Sequence, residues 1–105
     1  MDLRGHLDLL LLATLHRTGP AHGYALITAL RDRSAGAFDL PEGTVYPSLH
    51  RLERDGLLES SWREAAGRRR RVYRATPAGR RAAASERREW DRFSTGVLSV
   101  IGGHA

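Results

Sequence analysis

Hydrophobic residues recur at helical spacing along the first half of the chain. Residues 2–17 predict a helix whose leucines occupy two faces, so it needs two partners to bury them. A short second helix is predicted over residues 22–33, and a third over residues 42–55 with its apolar positions on one face. Because a proline deep inside a helix loses a hydrogen bond, Pro47 predicts that the regular part of the third helix begins near Gly43.

The second half of the chain first alternates and then returns to helical spacing. Residues 58–62 alternate between the two sides of a short predicted strand, and residues 72–74 predict its antiparallel partner. Residues 64–70 are then the loop of a β-hairpin. The pair Thr76-Pro77 is a strong start signal for a helix, which we expect to extend to about Val100.

These elements follow in the order helix, helix, helix, strand, strand, long helix, which is typical of the winged helix-turn-helix, a fold that binds DNA. We therefore predict a mainly α protein with a small β-hairpin. Residues 1–75 are expected to form the DNA-binding domain and residues 76–105 a C-terminal dimerisation helix. Trp90, Phe93 and Val97 in that helix repeat at the seam spacing of a coiled coil.

Composition locates the positive charge of the molecule. The 105 residues include 17 basic side chains, all of them arginine, and no cysteine, which excludes a disulfide scaffold. Residues 1–61 carry six arginines and eight acidic side chains, whereas residues 62–105 carry eleven arginines and four acidic side chains. The charge is therefore concentrated at the predicted hairpin and the start of the last helix, as expected for a partner such as duplex DNA. The chain shows neither a membrane-spanning run nor a signal-peptide pattern, so we expect a cytoplasmic protein.

The face of the third helix opposite its apolar stripe supplies candidate DNA contacts. Tyrosine, serine, threonine and arginine side chains can donate hydrogen bonds to phosphate, and arginine or histidine can read guanine in the major groove. The arginines expected at the hairpin tip can reach an adjacent minor groove or the flanking backbone. The candidate DNA-binding residues on these two elements are Thr44, Tyr46, Pro47, Ser48, His50, Arg51, Arg68, Arg69, Arg70 and Arg71.

Other functional classes fit the sequence less well. An enzyme is not expected, because the five histidines have no acidic partner at motif spacing and no nucleophile or phosphate-binding motif is present. No cofactor or metal ion is expected either, although a repressor that senses a metal ion through histidine stays open as an alternative. A winged-helix module that binds another protein is the second alternative, and the basic hairpin argues against it.

Two segments of the chain carry a family resemblance. Residues 9–24 and residues 43–57, which include Gly-Thr-Val-Tyr-Pro, look like the PadR family of bacterial transcriptional regulators. The hairpin over residues 67–73 and the helix start over residues 76–80 extend the likeness, which covers roughly residues 3–93. The chain resembles the short-tailed members, which have one long C-terminal helix instead of a separate C-terminal domain.

The resemblance implies a homodimeric repressor that binds a palindromic operator, with the dimer built by the first and last helices. It also places Tyr24 on the DNA-facing side, together with Thr44, Tyr46 and Ser48. Some family members bind flat hydrophobic or aromatic effectors between the subunits, stacked on a C-terminal tryptophan, which makes Trp90 the candidate effector-binding residue. The dimer-interface residues carried over from the family are Leu9, Leu12, Trp90, Phe93 and Val97.

Overall fold

The computed structural model describes residues 6–102, so the parts of the predicted elements that fall on residues 1–5 and 103–105 lie outside the described residues. Within residues 6–102, four helices and three strands form a mainly α protein with a small antiparallel sheet and a long last helix, which confirms the predicted fold class. The elements are α1 (Leu7–Thr18), β1 (Ala21–His22), α2 (Gly23–Arg33), α3 (Glu42–Arg54), β2 (Leu58–Ala65), β3 (Arg68–Ala75) and α4 (Pro77–Ile101).

The hydrophobic core lies where α1, α2 and α3 pack against the base of the sheet. Leucines from all three helices meet there, together with Tyr73 of β3, and burial of each such side chain contributes about 1.5–3 kcal/mol. The largest fully buried side chains are Leu11, Leu12, Leu26, Val45, Leu49, Leu52, Leu58 and Tyr73.

The helix α3 begins where the sequence predicts but contains its proline at a greater depth than expected. It starts at Glu42, so Pro47 lies inside the helix, past the first turn. The predicted start of the helix is therefore confirmed to within one residue, whereas the expectation that Pro47 would lie within the first turn was wrong. A proline at this depth removes one hydrogen bond and costs about 3 kcal/mol. Three fully buried side chains on the opposite face offset that cost, since Val45, Leu49 and Leu52 reach the core only from a continuous helix.

The hairpin is longer and its turn tighter than the sequence predicts. β2 pairs with β3 from Leu58↔Ala75 to Ala65↔Arg68, which leaves only Ala66 and Gly67 as the turn. Both turn residues have positive φ, at 53° and 74°, as a two-residue hairpin turn of type I′ requires. Residues 68–71 therefore belong to strand β3 and not to a loop at the tip, which corrects the predicted loop over residues 64–70.

A third strand, β1, is absent from the sequence prediction. Its two residues pair with β3 in the register Ala21↔Tyr73 and His22↔Val72. Two residues are too few to produce an alternating pattern, so no sequence signal distinguishes this strand from a loop. The pairing attaches the segment before α2 directly to the wing, meaning the β2–β3 hairpin.

Helix α4 begins as predicted and leaves the body of the fold with an exposed second half. The Thr76 hydroxyl accepts a hydrogen bond from the Gly79 amide at 3.0 Å, which caps the helix. From Asp91 to Ile101, every residue other than Ser94 is exposed. None of the helices within residues 6–102 combines the length and apolarity that crossing a membrane requires.

Candidate nucleic-acid interface

One side of α3 faces solvent because the buried residues Val45, Leu49 and Leu52 lie on the other side. Pro47 and His50 are exposed, and Thr44 and Tyr46 are half-buried beside them. The N-terminal end of the helix adds a partial positive charge on the same side. These four predicted residues therefore lie at an accessible helix surface that carries hydroxyl, imidazole and apolar groups.

The start of α2 lies directly beside this surface. The ring of Tyr46 packs over Gly23 so closely that a Cβ on the glycine would lie 2.6 Å from two carbons of the ring. Tyr24 follows in the chain and is 58% exposed. The structure therefore brings together the tyrosines from α2 and α3 that the sequence selected as candidate contacts.

Ser48 does not lie on the solvent side of α3. Its side chain is 8% exposed, and its hydroxyl donates a hydrogen bond to the Thr44 carbonyl at 3.2 Å. The prediction that Ser48 contacts DNA is therefore not supported by its position. The helical pattern alone could not separate it from its neighbours, because position 48 adjoins the buried stripe at Leu49.

Arg51 points to the first helix instead of lying free on the surface. Its two terminal nitrogens donate to both carboxylate oxygens of Asp8, at 2.9 and 2.7 Å. This bidentate hydrogen bonding raises the pKa of Arg51 above its usual value. The pair joins α1 to α3 across 43 residues of sequence, so Arg51 positions the helix and is not placed as a base-reading side chain.

The four predicted arginines of the wing divide between the two faces of the hairpin. Alternation along β3 puts Arg69 and Arg71 on the face that also carries Tyr73, and Arg68 and Arg70 on the other face. Both members of the first pair lie against Trp62 of β2. Their Cζ atoms are 4.8 Å (Arg69) and 5.5 Å (Arg71) from the centroid of the indole ring.

A polar chain connects the wing to the end of α3. The Ser60 hydroxyl donates to Glu53 at 2.6 Å and accepts from Nε of Arg71 at 2.8 Å. A terminal nitrogen of Arg71 also lies 3.6 Å from the Glu53 carboxylate. Glu53, Ser60 and Trp62 are not among the residues selected from the sequence patterns, although the period of two in β2 places Ser60 and Trp62 on one face of the strand.

His22 connects the other face of the wing to α2. Its Nδ1 accepts a hydrogen bond from the Ala25 amide at 3.1 Å and caps the helix, while Nε2 lies 3.5 Å from Arg70. Burial, and then the charge of Arg70, lower the pKa of His22 below its ordinary value of 6.5. The neutral ring is therefore the form that suits this position.

A second surface lies between α1 and α4. A groove of about 720 Å³ runs between them, lined by apolar side chains that include Leu9 and bordered by Arg17, Arg80 and Arg87. Trp90 forms one wall, 4.9 Å edge-on from the His6 ring and 5.8 Å from the Phe93 ring.

Among the predicted dimer-interface residues, Leu9, Leu12 and Trp90 line this groove, whereas Phe93 and Val97 lie farther along α4. Phe93 and Val97 are exposed, while Leu9 and Trp90 are half-buried. Leu12 lies beneath the groove and is 1% exposed, because the core of its own subunit takes its side chain. This burial does not support the prediction that Leu12 contacts a second subunit. Among residues 6–102, no three histidine, cysteine or acidic side chains come together in a way that could hold a metal ion.

Comparison with known proteins agrees with this arrangement. Residues 11–85 match the profile of the Transcriptional regulator PadR-like family. Transcriptional regulator Rv3488 of Mycobacterium tuberculosis is 50% identical over 68 residues, which are 65% of this chain and 64% of that protein. The matched segment thus spans less than two thirds of that relative.

Solved structures extend the likeness to almost the whole chain. A PadR family transcriptional regulator from Eggerthella lenta is 34% identical, with a TM-score of 0.81 over 96% of this chain and 86% of that chain. A PadR-like transcriptional regulator from Bacillus cereus is 26% identical, with a TM-score of 0.83 over 97% of both chains. These proteins are named as regulators and not as enzymes, in agreement with the sequence prediction.

Proposed function

Since the chain belongs to the PadR-like family of transcriptional regulators, we propose that it is a homodimeric repressor that binds a palindromic DNA operator. The observation that carries the proposal is the juxtaposition of two DNA-compatible elements. The solvent side of α3 and the arginine-bearing wing lie next to each other, connected through Glu53, Ser60 and Arg71. Neither element alone is large enough to recognise an operator, whereas together they can follow a groove and its adjoining backbone.

In the proposed complex, α3 enters the major groove with its N-terminal half foremost. Tyr24, Thr44 and Tyr46 donate hydrogen bonds to phosphates, which fixes the orientation of the helix. Pro47 and His50 face the base edges, where a proline ring can contact a thymine methyl group and an imidazole can donate to guanine. The wing arginines other than Arg71 lie along the neighbouring backbone.

The proposed homodimer forms through α4. Phe93 is 57% exposed and Val100 is 87% exposed, and with Val97 and Ile101 they form an apolar stripe on the second half of the helix. Monomeric proteins rarely leave such a stripe in water, and a second copy of the same helix together with the α1–α4 groove can cover it. Two-fold symmetry of the protein then requires two-fold symmetry in the operator. In this proposal residues 1–75 bind DNA and residues 76–105 dimerise, and the site of action is the cytoplasm.

The groove beside Trp90 is proposed as the place where a small effector releases the repressor. Its volume of about 720 Å³ lies within the range of ordinary small-molecule sites, roughly 300–1,000 Å³. An indole wall and leucine lining suit a flat hydrophobic or aromatic molecule. Because the same groove would receive the partner subunit, an effector bound there can change the distance between the two copies of α3.

Selection of bound fragments from genomic DNA tests the proposal. The expected result is a set of fragments that share an inverted repeat, with half-sites about one helical turn, 10–10.5 base pairs, or a multiple of it apart. Placing the recovered fragment upstream of a reporter gene should then lower expression when the protein is present. Fragments without any shared sequence, or with a single unpaired half-site, would contradict the proposed palindromic operator.

A further inference from the structure

We propose that Trp62 is a positioning residue of the DNA interface: its indole ring holds the Arg69 guanidinium in place to meet the sugar-phosphate backbone beside α3. This inference rests on the proposed DNA binding and adds to it a residue that the sequence patterns did not select. It also gives different roles to two wing arginines: Arg71 holds the wing to α3, and Arg69 is presented to the nucleic acid.

The strand register brings the three side chains together. Trp62 of β2 lies directly opposite Arg71 of β3, and Arg69 lies opposite Glu64, two residues nearer the turn. All four positions share one face of the hairpin, because side chains alternate along each strand. The shorter of the two arginine–indole distances is that of Arg69, at 4.8 Å from Cζ to the ring centroid.

The surroundings of the two arginines differ. Arg71 is already engaged, with Nε on the Ser60 hydroxyl at 2.8 Å and a terminal nitrogen 3.6 Å from Glu53. Within residues 6–102, Arg69 has neither a carboxylate within ion-pair distance nor a hydrogen-bond acceptor for its guanidinium. Within these residues, the ring of Trp62 is therefore the contact of the Arg69 guanidinium on the wing, and no ion pair ties this group to Glu64, which lies opposite it across the hairpin.

A tryptophan in this place has no role in the core. It is 53% exposed, whereas Leu58, at the base of the same face of β2, is 2% exposed. Tryptophan is the aromatic side chain that attracts a guanidinium most strongly. The attraction uses the face of the ring and leaves the N–H groups of the guanidinium free, and these groups suit bidentate hydrogen bonding to a phosphate.

Holding Arg69 before DNA arrives lowers the cost of binding. A free arginine side chain loses rotamer freedom when it is fixed on a phosphate, and a side chain already held against the ring loses less. Removing the ring should therefore weaken DNA binding without changing the number of phosphates contacted. By contrast, removing a residue that only maintained the fold would not lower the affinity for DNA while leaving the salt dependence of binding unchanged.

The experiment compares four full-length variants on a fluorescently labelled duplex of mixed sequence. Trp62→Ala should weaken binding by about two- to five-fold per subunit, with an unchanged slope of log K against log salt. Trp62→Phe should restore most of the affinity, since it keeps an aromatic face. Arg69→Ala should weaken binding and lower the steepness of the slope by about 0.9 per subunit. In the Arg69→Ala background, the additional substitution Trp62→Ala should cause no further loss of affinity for the duplex.

A direct readout comes from the tryptophan itself. The chain has two tryptophans, so a Trp90→Phe variant leaves Trp62 as the single indole fluorophore. Because Trp90 also lines the α1–α4 groove, the duplex affinity of Trp90→Phe is measured first and is the reference for this readout. The emission of Trp62 should change in parallel with duplex binding, and the change should be lost in the Arg69→Ala background. Thermal unfolding of every variant controls for loss of the fold.

Three outcomes would overturn the proposal. Equal affinity of the Trp62→Ala variant and the unsubstituted protein would show that the ring does not prepare Arg69. An equal loss from Trp62→Ala with or without Arg69 would show that the ring acts on its own, for example on a protein partner. Failure of the unsubstituted protein to bind any duplex is a separate result, because it would remove the proposed function as well.

Discussion

At the scale of single residues, the junction between α2 and α3 depends on the missing side chain of Gly23. The Tyr46 ring occupies the space that a Cβ would need, at 2.6 Å. Gly23→Ala should therefore displace the ring and lower the free energy of unfolding by about 1–3 kcal/mol, the usual cost of overpacking. Chemical denaturation measures this change, and titration with the operator should show weaker binding, since Tyr46 lies at the candidate interface.

Gly43 provides the matched control for this substitution. It also lies in the first turn of a helix, but nothing stands within 4 Å of the position that its Cβ would take. Gly43→Ala should leave stability unchanged or raise it by less than about 1 kcal/mol, because alanine favours helix. Equal destabilisation by both alanines would mean that the close packing of Tyr46 on Gly23 is not the cause.

His22 makes the stability of the fold depend on pH. Its pKa is lowered in the folded protein, so the folded state disfavours the proton that the unfolded chain accepts near pH 6.5. The neutral ring therefore makes its full contribution to the stability of the fold above pH 6.5. This contribution is lost as the pH falls from 6.5 through the lowered pKa of His22. Protonation would remove the Nδ1 acceptor that caps α2 and would place a second positive charge beside Arg70.

His22→Asn isolates this effect from the other histidines. Asparagine also accepts a hydrogen bond at a helix N-cap but does not titrate. As the pH is lowered below 6.5, the unfolding free energy of the unsubstituted protein should fall relative to that of the His22→Asn variant. A difference that stays constant with pH would show that His22 titrates alike in the folded and unfolded chains.

At the scale of elements, the orientation of α3 depends on the ion pair between Asp8 and Arg51. Both side chains are partly exposed, so water screens part of the attraction, while bidentate geometry strengthens it. Arg51→Ala and Asp8→Ala should each destabilise the fold, and the double variant should show a coupling energy of about 1 kcal/mol. Denaturation of the four proteins of this cycle provides the measurement.

The same pair distinguishes positioning from base reading. If Arg51 positions α3, then Arg51→Ala and Asp8→Ala should weaken DNA binding by similar factors, with the same order of preference among operator variants. If Arg51→Ala alone changed the DNA sequence that the protein prefers, Arg51 would be a base-reading residue and not a positioning residue. Arg51→Lys should recover little, because an ammonium group cannot match both carboxylate oxygens.

These elements also show which parts of the fold the sequence can predict. Strong local signals predicted α4 through Thr76 and Pro77, and periodicity predicted the core side of α3. The length of β3 was missed because an arginine run resembles a loop in composition, whereas the pairing with β2 that orders it is not local. The depth of Pro47 within α3 was missed because burial of the far side of the helix outweighed the local signal of the proline.

Within the candidate site, the sequence predicted the surface better than the role of each residue. It identified Tyr24, Tyr46 and His50, which are accessible or partly accessible. It could not show that Arg51 meets Asp8, since ion pairs between distant segments leave no trace in local spacing. Trp62 was overlooked for the same reason, because only the register of the hairpin brings Arg69 to its ring.

At the scale of the whole molecule, the proposed dimer depends on the exposed apolar stripe on α4. Val97→Asp places a charge in the middle of this stripe and should convert the proposed dimer into monomers, since burying an unpaired carboxylate is costly. Thr95→Asp is the matched control, because residue 95 lies on the opposite side of the helix and should leave the dimer intact. Sedimentation of both variants provides the measurement, and an intact dimer with Val97→Asp would move the interface elsewhere.

The proposed dimerisation also predicts how steeply DNA binding depends on salt concentration. If each subunit contacts about four to six phosphates, the dimer should give a slope of log K against log salt of about −7 to −11, from roughly −0.9 per phosphate. The monomeric Val97→Asp variant should retain about half of this slope, because its own α3 and wing are unaffected. The Thr95→Asp dimer should keep a steep slope. A slope near zero for the unsubstituted protein would contradict DNA binding, and an equally steep slope for the monomer would contradict the two-subunit contact.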